Sequence, residues 1–150
     1  ALTARCRALR LGSDTVDYFH LLLHYADKEV VLHSSPFSGH PTTRFILQGD
    51  LGSYHKTGLD PQEDALRAGQ KPGGAGWGQE PEALYGVVAD AQGQKPYPTL
   101  AGDYQKFYQR LVAALQQGKP HLVSATEALQ GIRLIELAMH SQRLGRTLDF

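Results

Sequence analysis

Apolar and polar positions alternate through the first third of the chain and return at helical spacing in the last third. Over residues 2–11, Leu2, Ala4, Cys6 and Ala8 fall on one side of an extended segment and Thr3, Arg5 and Arg7 on the other. Gly12-Ser13-Asp14 reads as a turn. A second strand over 18–26 meets a third over 29–35 through a tight hairpin at Asp27-Lys28. Residues 44–48 and 53–57 form another pair, joined by Gly49-Asp50-Leu51-Gly52. Two short strands follow at 84–90 and 94–97, about an Asp-Ala-Gln-Gly turn.

Helical signals separate and then succeed these strands. Pro61 suits the first turn of a short helix through Arg67, with Asp60 before it and Gly69 after it. Residues 69–78 are rich in glycine and read as loop. Tyr104, Phe107, Tyr108, Leu111, Val112 and Leu115 recur on one helix face, with Asp103 as its cap and Gly118 and Pro120 as its stop. Ser124 and Glu127 have the spacing of a capping box. The helix they open is expected to turn Ala128, Leu129, Ile132, Ile135 and Met139 inward and to end near Gly145, with a last strand over 146–150.

Strands followed by two long amphipathic helices make an α+β pattern. The helices can cover only one face of the sheet. If the first hairpin turns at Asp27-Lys28, the uncovered face carries Tyr18, His20, Leu22, His24, Val31 and His33. Such a half-polar face is expected to meet water, a partner domain or a second subunit, and we assign these six residues to a homo-oligomer interface.

Composition narrows the function classes. With 150 residues, the chain fits one ordinary domain able to bury a core without disulfides. Its 15 basic and 15 acidic residues balance, which leaves no electrostatic footprint for nucleic acid and no polybasic membrane patch. No apolar run is long enough to span a membrane. The lone Cys6 suits a reducing, cytoplasmic compartment. A start at Ala1, directly into a strand pattern, reads as a fragment or processed product.

Candidate chemistry is sparse. His20 and His24 lie four residues apart on a strand, about 13 Å, too far to share a metal ion, so no metal site is assigned. The glycine-rich loop holds no phosphate-binding fingerprint, and no nucleophile stands out.

One long motif is more specific. Phe37-x-x-His40-Pro41-x-x-Arg44-Phe45 is followed by Gly49. Then comes Gly52-Ser53-Tyr54-x-Lys56-x-Gly58-Leu59-Asp60-Pro61-Gln62-Glu63, and later Trp77-Gly78. The tail adds Gly102-Asp103-Tyr104, Phe107-Tyr108, Pro120, Val123-Ser124-Ala125 and Leu134-Ile135-Glu136. Together these resemble the glucose–fructose oxidoreductase/inositol dehydrogenase (Gfo/Idh/MocA) family, over essentially the whole chain.

The resemblance implies a C-terminal domain built on a large, predominantly antiparallel sheet with helices on one face and the other face open. It implies that residues 1–150 form one substrate and oligomerisation domain, with the N-terminal Rossmann domain absent from this chain. NAD or NADP would be bound by that missing domain, and this chain alone would bind neither. The family's Glu-Lys-Pro lysine and Asp-x-x-x-His pair have no matching positions here, so no catalytic residue is carried over. Asp14, Asp17 and His20 have the wrong spacing for that pair. The strand and loop holding Tyr54, Lys56 and Asp60 correspond to a region that can reach the cleft, and these three are the candidate substrate-binding residues. The full-length protein is then expected to be an NAD(P)-dependent oxidoreductase acting on a sugar, polyol or similar hydroxy or carbonyl compound. The alternative is a stand-alone binding or assembly module that uses the open sheet face without catalysis.

Overall fold

The computed structural model describes residues 1–39, 43–120 and 122–150. Seven strands run in the order β1 (Leu2–Arg7), β2 (Tyr18–His24), β3 (Glu29–Ser34), β4 (Thr43–Gly49), β5 (Gly52–Thr57), β6 (Gly86–Asp90) and β7 (Gly93–Tyr97). The helices are α1 (Gln62–Arg67), α2 (Tyr104–Gln117) and α3 (Ala125–Leu144), with a 3₁₀ turn at Glu82–Leu84. The chain folds as two compact units, Ala1–Ser38 with Val123–Phe150, and Gly39–Leu122. The class is the expected α+β with antiparallel pairing. The strands form two ladders, ordered β1-β2-β3 and β4-β5-β6-β7.

In the first unit, alternation sets the register. Leu23 pairs with Leu2 on one side and Val30 on the other, and Leu21 with Ala4 and Leu32. One face therefore collects Leu2, Ala4 and Leu23, which are buried with Ala138 of α3 and flanked by Cys6, Leu21, Val30, Leu134 and Leu137. Two polar side chains of α3 fasten the helix to the sheet. Ser141 Oγ accepts from the Ala4 amide at 3.0 Å and donates to the Arg146 carbonyl at 2.7 Å. Gln142 Oε1 accepts from the Cys6 amide at 3.0 Å.

The capping box forms in full: Ser124 Oγ accepts from the Glu127 amide, and Glu127 Oε2 accepts from the Ser124 amide at 2.7 Å. The Ser124 amide, and after it the Ser124 hydroxyl, which also donates to Glu127 Oε2 at 2.8 Å, hold the Glu127 carboxyl below the usual carboxylate range. At the other end Gly145 adopts a left-handed φ of 64° and closes α3.

Three sequence expectations are corrected here. The inward face of α3 is Leu134, Leu137, Ala138 and Ser141, not the stripe through Leu129, Ile132, Ile135 and Met139, which is 44–62% exposed. The helix has apolar residues on two sides, and the buried hydroxyl of Ser141 selects the side that meets β1. Residues 8–11 leave the first strand, because the Asp17 carboxylate gathers the Leu9 and Arg10 amides. The tail contributes one bridge, Leu2 with Leu148, rather than a full strand.

In the second unit, β5 pairs with β4 and β6, and β7 closes the far edge. Pro96 sits on that edge strand, where its missing N–H costs no internal ladder bond. The strand expected over 84–90 begins at Gly86, since Leu84 belongs to the 3₁₀ turn. Asp103 caps α2 through the Gln105 amide. The apolar positions Tyr104, Phe107, Tyr108, Val112 and Leu115 of α2 stand 43–78% exposed.

Candidate functional site

The second unit holds a cleft of about 440 Å³ beside the end of β5, lined by residues that include Arg44, Lys56, Asp60, Glu80, Thr99 and Tyr104. Most of its wall comes from the long motif, and hydrogen bonds explain why those residue types recur there.

Lys56 leaves β5 into the interior and is 8% exposed. Its ammonium donates to the Thr57 carbonyl at 2.7 Å, the Leu84 carbonyl at 2.8 Å and Glu80 Oε2 at 3.0 Å. An ammonium has three N–H groups. All three are taken, so Lys56 lines the cleft without a donor free for a ligand in this conformation. Lys56, a candidate substrate residue, thus ties β5 to Glu80 and the 3₁₀ turn. Glu80 is almost as deeply buried, and its Oε1 has no partner among the described residues.

Asp60 follows the strand at the mouth of α1. Its Oδ1 accepts from the Gln62 amide at 2.9 Å, which starts the helix. The Gln62 side-chain amide also donates to both Asp60 oxygens, at 3.1 and 3.0 Å. Asp60 therefore holds the first amide of the helix and lines the cleft at once, and the residue as a whole is exposed. Two glycines let the walls close around it. Gly78 has a φ of 70°, and a Cβ there would run into the backbone of Gly102; a Cβ on Gly102 would run into Asp60 and Gln62.

Tyr54 does not join this cleft. Its ring lies against Gly86, edge-on to Tyr97 at 6.2 Å, and borders a separate groove with Leu47 and Val88. Of the three candidate substrate residues, the structure brings Lys56 and Asp60 to one cavity and leaves Tyr54 elsewhere. His40 and Pro41 of the motif lie outside the described residues. Arg44 stands over the Phe45 ring at 5.7 Å and lines the cleft.

In the first unit, the face opposite α3 carries the six residues expected to lie together. His20 pairs with His33 and Leu22 with Val31 across β2 and β3. The His20 and His33 rings are 5.4 Å apart, and Tyr18 meets His33 edge-on at 5.4 Å. His24 bonds Glu29 at 2.7 Å and Thr3 at 3.0 Å. Arg5 and Arg7 of β1 pair with His20 and Tyr18 and extend this face. Val31 is 55% exposed at its centre. On the covered face, burial pushes the Cys6 thiol up, which makes it a poorer nucleophile.

Sequence reading missed Gln62 and Glu80. Gln62 stood inside the motif, but nothing local marks it as buried; it follows a proline at a helix start, where a polar residue is usually solvated. Glu80 carried no signal, since its partner Lys56 is 24 residues away.

The residues present do not fit a dinucleotide. Every strand pairing among the described residues is antiparallel, so no strand–turn–helix of the nucleotide-binding type exists there. The glycine-rich loop folds onto itself through Trp77 to Gly74 and Gln79 to Gly76 bonds. Among the described residues no three His, Cys, Asp or Glu side chains group as metal ligands, and no helix is long and apolar enough to cross a membrane.

This antiparallel α/β architecture matches a family model over residues 3–150, described as the oxidoreductase family, C-terminal alpha/beta domain. The chain belongs to that family, the Gfo/Idh/MocA oxidoreductases, as their C-terminal domain. It is 35% identical over 152 residues to scyllo-inositol 2-dehydrogenase (NADP(+)) IolW of Bacillus subtilis, covering 99% of this chain and 42% of the relative. It is 33% identical to the uncharacterized oxidoreductase YdgJ of Escherichia coli, over 99% of this chain and 43% of the relative. Among solved structures, the putative oxidoreductase yvaA from Bacillus subtilis superposes with a TM-score of 0.94 at 34% identity, over 99% of this chain and 44% of that one. The YPO2259 putative oxidoreductase from Yersinia pestis gives 0.92 at 38% identity, over 99% of this chain and 43% of that one. The chain thus spans less than half the length of these relatives.

Proposed function

We propose that the full-length protein is an NAD(P)-dependent oxidoreductase acting on a sugar, polyol or similar small hydroxy or carbonyl compound. The observation that carries this reading is the 35% identity, over 99% of the chain, to a scyllo-inositol 2-dehydrogenase. An N-terminal Rossmann domain outside this chain binds the nucleotide, and residues 1–150 act as one substrate and oligomerisation domain. The cleft beside β5 contributes to the substrate site. Asp60 supplies a carboxylate at the cleft that accepts from substrate hydroxyls, and Lys56 with Glu80 forms its rigid floor. Tyr54, in the neighbouring groove, supports β5 rather than the substrate. The lone Cys6 agrees with a cytoplasmic setting.

Full-length protein incubated with scyllo-inositol, myo-inositol or D-glucose and either NAD+ or NADP+ is expected to reduce one nucleotide. No reduction with any pair would defeat the reading. Residues 1–150 alone are expected to bind neither nucleotide in a calorimetric titration, and micromolar binding would contradict that.

The face of Tyr18, His20, Leu22, His24, Val31 and His33 is the proposed homo-oligomer interface. Leu22 and Val31 give an apolar centre, and the ring nitrogens and hydroxyl around it give hydrogen-bonding groups. Leu22→Glu is expected to convert the oligomer to monomer by light scattering, while an oligomer unmoved by it would place the interface elsewhere.

A further inference from the structure

Gln62 is 1% exposed, on a helix of only six residues. Its side chain bonds three different residues. The amide nitrogen donates to Asp60 Oδ1 at 3.1 Å and Oδ2 at 3.0 Å. The amide oxygen accepts from Trp77 Nε1 at 2.8 Å and from the Tyr104 backbone N–H at 3.0 Å.

The partners also fix which way the amide points. An indole N–H and a backbone N–H only donate, and an ionised carboxylate only accepts. The oxygen must face Trp77 and Tyr104, and the nitrogen must face Asp60. Glutamate in this place would have no donor for Asp60, and an apolar residue would take the side-chain acceptor from the Trp77 and Tyr104 N–H groups.

The three segments that Gln62 joins are 15 and 42 residues away from it for Trp77 and Tyr104, and two away for Asp60. They supply the carboxylate of the cleft, the end of the glycine-rich loop that places Gly78, and the first turn of α2 that places Tyr104. Gly102 fits against Asp60 and Gln62 with no room for a side chain. One buried amide thus determines both the direction of the cleft's carboxylate and the separation of its walls.

We propose that Gln62 is a positioning residue that aims the Asp60 carboxylate at substrate hydroxyls and ties the Trp77 loop and the start of α2 into one cleft wall. This rests on the reading of the cleft as part of the substrate site. Gln62 touches no ligand itself; it acts through Asp60, Trp77 and Tyr104.

The test uses the full-length protein with scyllo-inositol as probe. Gln62→Glu keeps the size and the acceptor for Trp77 and Tyr104, and removes the donor for Asp60. It is expected to raise KM for scyllo-inositol about tenfold, the effect of one lost hydrogen bond to a charged group, with kcat within about twofold. The dissociation constant for NADP+ should not move. Trp77 emission, isolated as the difference between each protein and its Trp77→Phe counterpart, should resemble wild type in Gln62→Glu. In Gln62→Leu it should shift, because the indole N–H loses its acceptor. If Gln62→Leu does not fold, Gln62→Asn, which shortens the reach, replaces it.

An unchanged KM in Gln62→Glu overturns the positioning role. An unmoved Trp77 emission in Gln62→Leu overturns the tether. A wild type that does not turn over scyllo-inositol overturns the aiming of Asp60 at that substrate, and the Trp77 shift then decides the tether by itself.

Discussion

The two units of this chain are held together by opposite kinds of buried group. The first buries Leu2, Ala4, Leu23 and Ala138 between a three-stranded sheet and α3. The second buries Lys56, Gln62 and Glu80, and none of the buried hydrophobic side chains of the described residues belongs to it. In the first unit apolar area drives the packing, and Ser141 is the one buried polar side chain among the described residues that needs specific partners. In the second, each buried polar group needs a partner of the correct polarity at the correct distance.

The largest expected effect comes from breaking the network at its charged centre. Lys56→Ala leaves the Glu80 carboxylate buried without its cation and is expected to cost about 3–5 kcal/mol in equilibrium urea unfolding. Replacing both, as Lys56→Met with Glu80→Leu, should recover most of that loss, because the desolvation of two charges disappears along with their attraction. If the single variant proves as stable as wild type, Lys56 is not the tie its three bonds imply.

Leu2→Ala probes the other unit. Leu2 is fully buried, and its truncation is expected to cost about 3 kcal/mol through lost transfer energy and a residual cavity. A compensating partner mutation of the Lys56–Glu80 kind has no counterpart here, since the contact has no polarity to match. A loss under about 1 kcal/mol would mean that α3 closes down on the sheet and that this core is softer than its packing suggests.

Smaller effects lie at the entrance to α3. Ser124→Ala removes the side-chain half of the capping box and is expected to cost about 1 kcal/mol by the same measurement. Glu127 adds a pH dependence. Its folded carboxyl is held below the usual range by Ser124, so its contribution is present above the unfolded value and is lost as pH falls through the folded one. The stability difference between wild type and Glu127→Gln should therefore be steady near neutrality and shrink as pH falls from the ordinary carboxylate value through the lower folded one. A difference that persists in acid would show that the box does not depend on the charge.

Legibility followed the same division. Alternation placed the first three strands and their hairpin, and with them the open face of Tyr18, His20, Leu22, His24, Val31 and His33. The capping box was readable at Ser124 and Glu127 because its two partners are three residues apart. Periodicity failed on α3, where the apolar stripe through Ile132 and Ile135 is the longer one, yet the stripe ending in Ser141 meets the sheet. Hydrophobicity scales rank that serine as polar; its two bonds to Ala4 and Arg146 make it a core residue.

By itself the sequence determined the α+β class, the antiparallel hairpins, the helix ends and the family, since each depends on residues near one another or on a motif read in order. Tertiary structure alone decided which stripe of α3 turns inward, that Lys56 is consumed by Thr57, Glu80 and Leu84, and that Gln62 joins Asp60, Trp77 and Tyr104. Those outcomes depend on pairing polar groups up to 137 residues apart. A buried donor or acceptor selects its partner by direction and distance, and neither is written in the spacing of residues along a chain.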